Sequence, residues 1–129
     1  MPVRLDIGIL LVDDNNTTRT LLREILEYAG FHNITEAESG DAAWSSLGQK
    51  NMELVITDWN MRPMDGLTLL QRIRNTPDTQ NIPVIMLTVN TQKKYVDKAL
   101  KNGANNFIAK PFDRDLVIKK INMIFDRTP

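Results

Sequence analysis

The feature that most limits what this chain can fold into is an alternation. Short apolar runs occur at Ile7 to Val12, Ile34 to Ala37, Leu54 to Thr57, Pro83 to Thr88 and Phe107 to Ala109. Each is followed by apolar residues at helical spacing. Leu21, Leu22, Ile25, Leu26 and Ala29 form one such face, ended by Gly30, and Ala43, Trp44 and Leu47 follow Ser39-Gly40. Leu67, Leu69, Leu70 and Ile73 make a third face. Val96, Ala99 and Leu100 precede Gly103, and Leu116, Val117, Ile121, Ile124 and Phe125 follow Asp113, a plausible helix cap. A 3.6-residue period alternating with short continuous apolar runs is the pattern of βαβ units, which set strands parallel. Runs with little polar alternation suit strands covered on both faces.

The expectation is therefore an α/β fold: a doubly wound, flavodoxin-like (βα)5 arrangement with a parallel five-stranded sheet ordered 2-1-3-4-5. At 129 residues the chain suits one domain, residues 1–129, large enough to bury a core unaided. The charges balance, with 16 Lys+Arg against 16 Asp+Glu, which gives no support to nucleic-acid or membrane binding through bulk electrostatics. With no cysteine there is no disulfide framework and no thiolate chemistry. The first apolar run is too short to span a bilayer, so a cytoplasmic protein is expected.

In a sheet of this order, ligands bind beyond the strand C-termini, at the crevice between strands one and three. The predicted strands deliver polar groups to that edge: Asp13-Asp14 after the first, Asp58 after the third, Thr88 at the end of the fourth and Lys110 after the fifth. Each has an ordinary reading, as a cap, a turn residue or a solvated lysine. Their convergence on one edge is what favours a site. Two carboxylates about 5 Å apart repel by roughly 3 kcal/mol at an effective dielectric near 20, so three need protonation or a cation. An all-oxygen donor set suits Mg²⁺, with Mn²⁺ as a substitute. Three aspartates, a divalent cation and Lys110 sum to no net charge, leaving room for an anion. A carboxylate between a cation and a lysine can act as a nucleophile toward phosphorus, and Asp58 is the candidate. Thr88 could donate a hydrogen bond to a phosphoryl oxygen.

The stretches "LVDDNNTTR", "AESGDAAW", "ITDWNM", "MDGLTLL", "IPVIMLT" and "GANNFIAKPF" resemble response-regulator receiver domains, those of chemotaxis above all, from about Ile7 to Phe125. The resemblance implies that Asp58 accepts a phosphoryl group from a histidine kinase. It implies that Asp13, Asp14, Asp58 and the backbone carbonyl of Asn60 hold Mg²⁺, that Lys110 contacts the phosphoryl group, and that Thr88 and Phe107 form a switch pair. It also implies a cis Lys110-Pro111 bond. Such a protein catalyses its own phosphorylation and dephosphorylation rather than turning over a separate substrate. Arg62 stands where the family commonly has proline, and branched Val89 where it has Ala or Gly. Arg62 is expected to lean over the site, Val89 to narrow access to it, and Asn60 and Asn90 to tune the phosphate's lifetime.

The resemblance further implies a fourth-helix, fifth-strand and fifth-helix output surface, with Lys93, Lys94, Tyr95, Lys101, Lys119 and Lys120 on or near it. No effector domain is expected within 1–129, so output would pass to a partner protein. A flagellar-motor switch protein is the first expectation and a phosphorelay partner the second, with a phosphatase as a further partner. A degenerate receiver that binds partners without phosphorylation is the alternative. A haloacid-dehalogenase-type phosphatase would want a D-x-D motif where Asp13-Asp14-Asn15 stands, and a flavin-mononucleotide binder would want a Ser/Thr/Gly-rich loop there. His32 falls in a predicted turn and is read as structural.

Overall fold

Residues 4–125 are described by a computed structural model, and the two ends of the expected domain, residues 1–3 and 126–129, lie outside them. The elements alternate without exception: β1 (Ile9–Val12), α1 (Asn16–Tyr28), β2 (Ile34–Ala37), α2 (Gly40–Gln49), β3 (Leu54–Asp58), α3 (Gly66–Arg74), β4 (Val84–Thr88), α4 (Lys93–Lys101), β5 (Asn106–Ala109) and α5 (Arg114–Phe125). All pairings are parallel and the sheet order is β2-β1-β3-β4-β5, as expected from the alternation. Four strand boundaries differ from the sequence reading: β4 starts one residue later, at Val84, β5 one residue earlier, at Asn106, and β1 and β3 differ as follows. β1 starts at Ile9, since Gly8 already gives its carbonyl to Glu53 and Leu54 at the strand entrance. β3 extends one residue further, so Asp58 is itself the last strand residue.

Side chains alternate between the two sheet faces. Ile9 and Leu11, Leu54 and Ile56, Ile85 and Leu87, and Ile108 all pack with Leu22, Ile25 and Leu26 of α1 and Val117, Ile121 and Ile124 of α5. Leu10 and Val12, Val55, Val84 and Met86 pack on the opposite face with residues of α2, α3 and α4. Both layers are apolar, which explains why the central strands lack polar alternation.

The helices start where their caps dictate. Asn15 accepts from the Thr18 N–H at 3.0 Å, Ser39 from Ala42 at 3.1 Å, Asp65 from Thr68 at 2.8 Å and Asp113 from Leu116 at 2.8 Å. Each such cap contributes about 1 kcal/mol. α4 differs: its N-cap, Gln92, makes no side-chain cap bond, and Ala99 is its one buried residue. Gly66 opens α3 with its N–H on the Trp59 carbonyl at 2.8 Å. A Cβ there would stand 2.1 Å from the Asp58 carbonyl oxygen, so only glycine lets α3 come this close to the end of β3. Arg74, at the end of α3, reaches across to the β4 and β5 entrances. Its guanidinium donates to the carbonyls of Gly103 (3.0 Å), Gln80 (3.1 Å) and Ile82 (2.7 Å) and to Asn105 Oδ1 (2.9 Å). Burial pulls its pKa below the ordinary arginine value.

Candidate functional site

The sheet register brings the polar strand ends together. Val12 of β1 lies beside Thr57 of β3, so the residues that follow, Asp13 and Asp58, emerge as neighbours. Asp58 in turn pairs with Leu87, and Thr88 with Ala109, which puts Thr88 and Lys110 on the other side of Asp58. One carboxylate oxygen from each of Asp13, Asp14 and Asp58 lies within 4.8 Å of the others. Asp13 and Asp58 are buried, at 0% and 7% exposure, and Asp14 is open to solvent.

Lys110 crosses this cluster. Its Nζ donates to Asp13 Oδ2 at 3.1 Å and stands 3.1 Å from Asp58 Oδ1. Burial opposes the lysine's charge, but the carboxylates of Asp58 and then Asp13 outweigh it and raise its pKa above the ordinary lysine value. Asp58 is displaced upward, first by burial and then by the charge of Asp13, with Lys110 only partly offsetting both. Asp58 is thus held in an environment still short of positive charge. The donor set fits a hard divalent cation: three carboxylates from adjacent strand ends, all oxygen, with one lysine against them.

Asp13 is further fixed by its own turn. Its Oδ1 accepts from the Asn15 N–H at 2.9 Å, and its carbonyl accepts from Arg19 Nη1 at 2.7 Å. Arg19 also holds Glu36 of β2 at 2.8 Å, with Arg23 on the same carboxylate at 2.9 Å. Burial disfavours the Glu36 charge, but the two arginine hydrogen bonds outweigh that and lower its pKa. The sequence reading passed over Arg19. Its signal was its place one turn after the Asn15 cap, from which an arginine can reach back over the preceding loop.

Thr88 is buried, at 3% exposure, and its hydroxyl is turned toward the β4–α4 loop. It donates to the Asn90 carbonyl at 3.1 Å and accepts from the Asn90 N–H at 2.9 Å, while Asn90 Oδ1 accepts from the Gln92 N–H at 3.2 Å. A chain of hydrogen bonds therefore runs from Thr88 to the start of α4. Phe107 pairs with Met86, two residues before Thr88, and is half-buried against the α2–α4 layer. Lys120 Nζ stands 4.8 Å above its ring and donates to Asn106 Oδ1 at 3.0 Å.

The remaining residues sit at the rim. Asn60 and Arg62 are exposed, and Val89 is 64% exposed. Arg62-Pro63 is a cis peptide, as is Lys110-Pro111. Only the second was expected from the sequence. Lys93, Lys94, Lys101 and Lys119 are exposed, whereas Tyr95 is half-buried with its ring against Trp59. His32 is exposed in the loop before β2. Among the described residues no helix is long and apolar enough to cross a membrane.

Comparison with known proteins agrees with this arrangement. Residues 9–122 match the response regulator receiver domain family. The chain is 38% identical over 117 residues to the chemotaxis protein CheY1 of Helicobacter pylori, covering 90% of this chain and 94% of that one. It is 36% identical over 119 residues to CheY-3 of Vibrio cholerae, covering 92% of each. The receiver domain of a sensor histidine kinase from Pseudomonas aeruginosa, solved with magnesium coordinated in its active-site cleft, superposes with a TM-score of 0.84 at 26% identity, over 94% of this chain and 98% of that one. CheY4 of Vibrio cholerae shares the fold, with a TM-score of 0.86 at 24% identity over 92% of this chain and 98% of that one. With a fold, a strand-end acid cluster and a family match that coincide over the same residues, this chain belongs to the response regulator receiver domains.

Proposed function

We propose that Asp58 is a phosphoacceptor and that its modification switches the α4-β5-α5 face toward an output partner. The observation that carries this is Lys110 Nζ at 3.1 Å from both Asp13 and Asp58, inside a cluster of three carboxylates. The donor is a phosphohistidine of a histidine kinase. An Asp58 carboxylate oxygen forms the new O–P bond, the N–P bond to the imidazole breaks, and the freed imidazole takes up a proton from solvent. Lys110 faces the transferring phosphoryl oxygens and stabilises the charge that develops on them. Bound Mg²⁺, or Mn²⁺ in its place, held by Asp13, Asp14, Asp58 and the Asn60 carbonyl, would supply the further positive charge that the upward-displaced Asp58 lacks.

Phosphorylation replaces one carboxylate charge by about −2 on a phosphate, roughly one extra negative charge. Those oxygens attract the Thr88 hydroxyl, which must then give up its two bonds to Asn90. The loop to α4 is released, and Phe107, on the same sheet face as Thr88, can fill the space vacated. Asn60 and Asn90, at the rim, tune the phosphate's lifetime. The output partner is a protein. The CheY relatives favour a flagellar-motor switch protein, with a phosphatase acting on the loaded form.

The test is direct. With Mg²⁺ and acetyl phosphate, intact mass should show one added phosphoryl group, mapped to Asp58, and Trp59 emission should change. Asp58→Asn should lose both responses while keeping its circular dichroism spectrum. Modification elsewhere, or none, would overturn the assignment and favour a receiver that binds partners without phosphorylation.

A further inference from the structure

Two consecutive residues at the end of β3 face opposite ways. Asp58 enters the acidic site, while Trp59 packs into the α2–α4 layer. The Trp59 backbone is fixed from both sides: its N–H donates to Leu87 of β4 at 3.0 Å, and its carbonyl accepts from Gly66 at 2.8 Å and Met61 at 3.2 Å. Little rotation about this peptide is available without disturbing the Asp58 side. The Trp59 ring then meets Tyr95 edge to face, with centroids 6.2 Å apart at 81°. Tyr95 lies in the first turn of α4, the helix whose N-cap makes no side-chain bond and which buries Ala99 alone. Lys94 Nζ covers the Tyr95 ring at 5.1 Å, and Lys93 is paired with Asp97 on the exposed side.

We infer that the Trp59–Tyr95 pair is a coupler through which the state of Asp58 is read by the first turn of α4, separate from Thr88 and Phe107. Tyr95 is a positioning residue that acts through Trp59. This rests on Asp58 being the modified residue. The physical case is one of anchoring. Among the described residues, the start of α4 is tied to the site by the hydrogen bonds from Thr88 through Asn90 to Gln92 and by this ring contact. When the Thr88 hydroxyl leaves Asn90, the ring contact is the attachment that remains. Any shift of the β3–α3 loop on modification moves the Trp59 ring and carries Tyr95 with it. An edge-to-face pair is directional as well as apolar, so it sets the angle of the helix and not merely its distance. By linkage, a partner that holds α4 in one position acts back on the Asp58 loop to the same degree.

The test compares the wild-type chain with Tyr95→Phe, which keeps the ring, and Tyr95→Leu, which keeps apolar volume and helix propensity without it. Hydrogen exchange by mass spectrometry is read on peptides covering α4, before and after adding Mg²⁺ and beryllofluoride, a phosphoryl mimic. Wild type and Tyr95→Phe should show the same beryllofluoride-dependent change in the first turn of α4. In Tyr95→Leu that change should shrink by about two- to tenfold in exchange rate, the range a lost aromatic pair implies. Its Mg²⁺ affinity and phosphorylation at Asp58 by acetyl phosphate should persist. A full exchange response in Tyr95→Leu would overturn the coupler, as would an equal loss in Tyr95→Phe. A wild-type chain modified at Asp58 whose α4 exchange does not change would overturn the coupler alone. A wild-type chain that takes no phosphoryl group would overturn the phosphoacceptor reading, and the coupler with it.

Discussion

Lys110→Met removes the cation that, among the described residues, spans the acid cluster, while keeping most of the side chain's length. Its two carboxylate contacts, each at 3.1 Å, amount to about 5 kcal/mol apiece at an effective dielectric near 20. Without them, Asp13 and Asp58 are left to repel each other across at most 4.8 Å, about 3.5 kcal/mol on the same scale. The lysine's own desolvation cost, also relieved by the substitution, offsets much of this gross sum. Truncating one member of a buried pair typically costs about 3–5 kcal/mol. The lower end applies here, because Asp58 can escape by taking up a proton. We expect a loss of about 3 kcal/mol near pH 8, or about 10 °C in Tm for a domain of this size.

The pH dependence identifies the cause. Asp58 is already displaced upward by burial and by Asp13, and losing Lys110 displaces it further. Above its folded-state pKa the carboxylate is charged and the whole deficit is present. As pH falls through that value toward the unfolded one, the folded variant binds a proton before the unfolded chain does, so its stability rises. The gap to wild type therefore narrows on acidification. It narrows again on the alkaline side. The raised lysine in the wild type contributes fully below its unfolded pKa, and this is lost as pH rises through its folded value. Mg²⁺ restores positive charge beside Asp13 and Asp58, so it should raise the variant's Tm more than the wild type's. Thermal melts followed by circular dichroism at pH 5 and pH 8, in chelator and in Mg²⁺, measure all of this. A gap as wide at pH 5 as at pH 8, or equal rescue by Mg²⁺, would show that Lys110 acts through packing and not through charge.

Three further outcomes are expected. Gly66→Ala sets a Cβ at 2.1 Å from the Asp58 carbonyl and should cost about 3 kcal/mol in urea unfolding, with a weaker Mg²⁺ response of Trp59 emission; wild-type values for both would refute the close-approach argument. Arg74→Met takes the guanidinium donor from three carbonyls and from Asn105 Oδ1, which keeps the Val84 N–H at 2.9 Å, and should lower stability by about 3 kcal/mol, read as a shift in urea midpoint, with Mg²⁺ affinity unchanged. Glu36 is held below its ordinary pKa, so its contribution is present above the unfolded value and lost as pH falls through the folded one. Arg19→Met should therefore flatten the acid limb of the stability curve below about pH 5, where the Glu36 contribution is lost, and an unaltered limb in a pH series of melts would exclude this role.

Much of the framework was legible because it follows from periodicity. Apolar runs too uniform to face water on one side require a sheet covered on both, and glycines at Gly30 and Gly103, with φ near 102° and 103°, end the helices that precede them. The nearness of Asp13, Asp14 and Asp58 followed from strand order, because β1 and β3 are adjacent and their ends coincide in register. What local spacing does not carry is the reach of long side chains. Arg74 joins residues as far apart as Gln80 and Asn105, and Arg19 links α1 to β2 and to the Asp13 carbonyl. The Trp59–Tyr95 contact was equally hidden, since Tyr95 reads as one more residue on a lysine-rich helix until the sheet sets it beside β3.

The proposed movement of α4 rather than α3 accords with how the two helices are held. α3 is buried through three leucines and an isoleucine, Leu67, Leu69, Leu70 and Ile73. At about 1.5–3 kcal/mol for each buried side chain, that is roughly 6–12 kcal/mol. New hydrogen bonds to a charged phosphoryl group contribute about 1.5–3 kcal/mol each. Two or three of them do not dislodge α3, and Gly66 ties its start to the Trp59 carbonyl besides. α4 is held by a buried alanine, by half-buried Tyr95 and Val96, and by an N-terminus that depends on Asn90. Its attachment is of the same order as what Thr88 and Lys110 can gain at the site. On the proposed mechanism, a signal generated at Asp58 would therefore reach α4, which is held more weakly than α3, and the rigidity of α3 would keep it from being absorbed there.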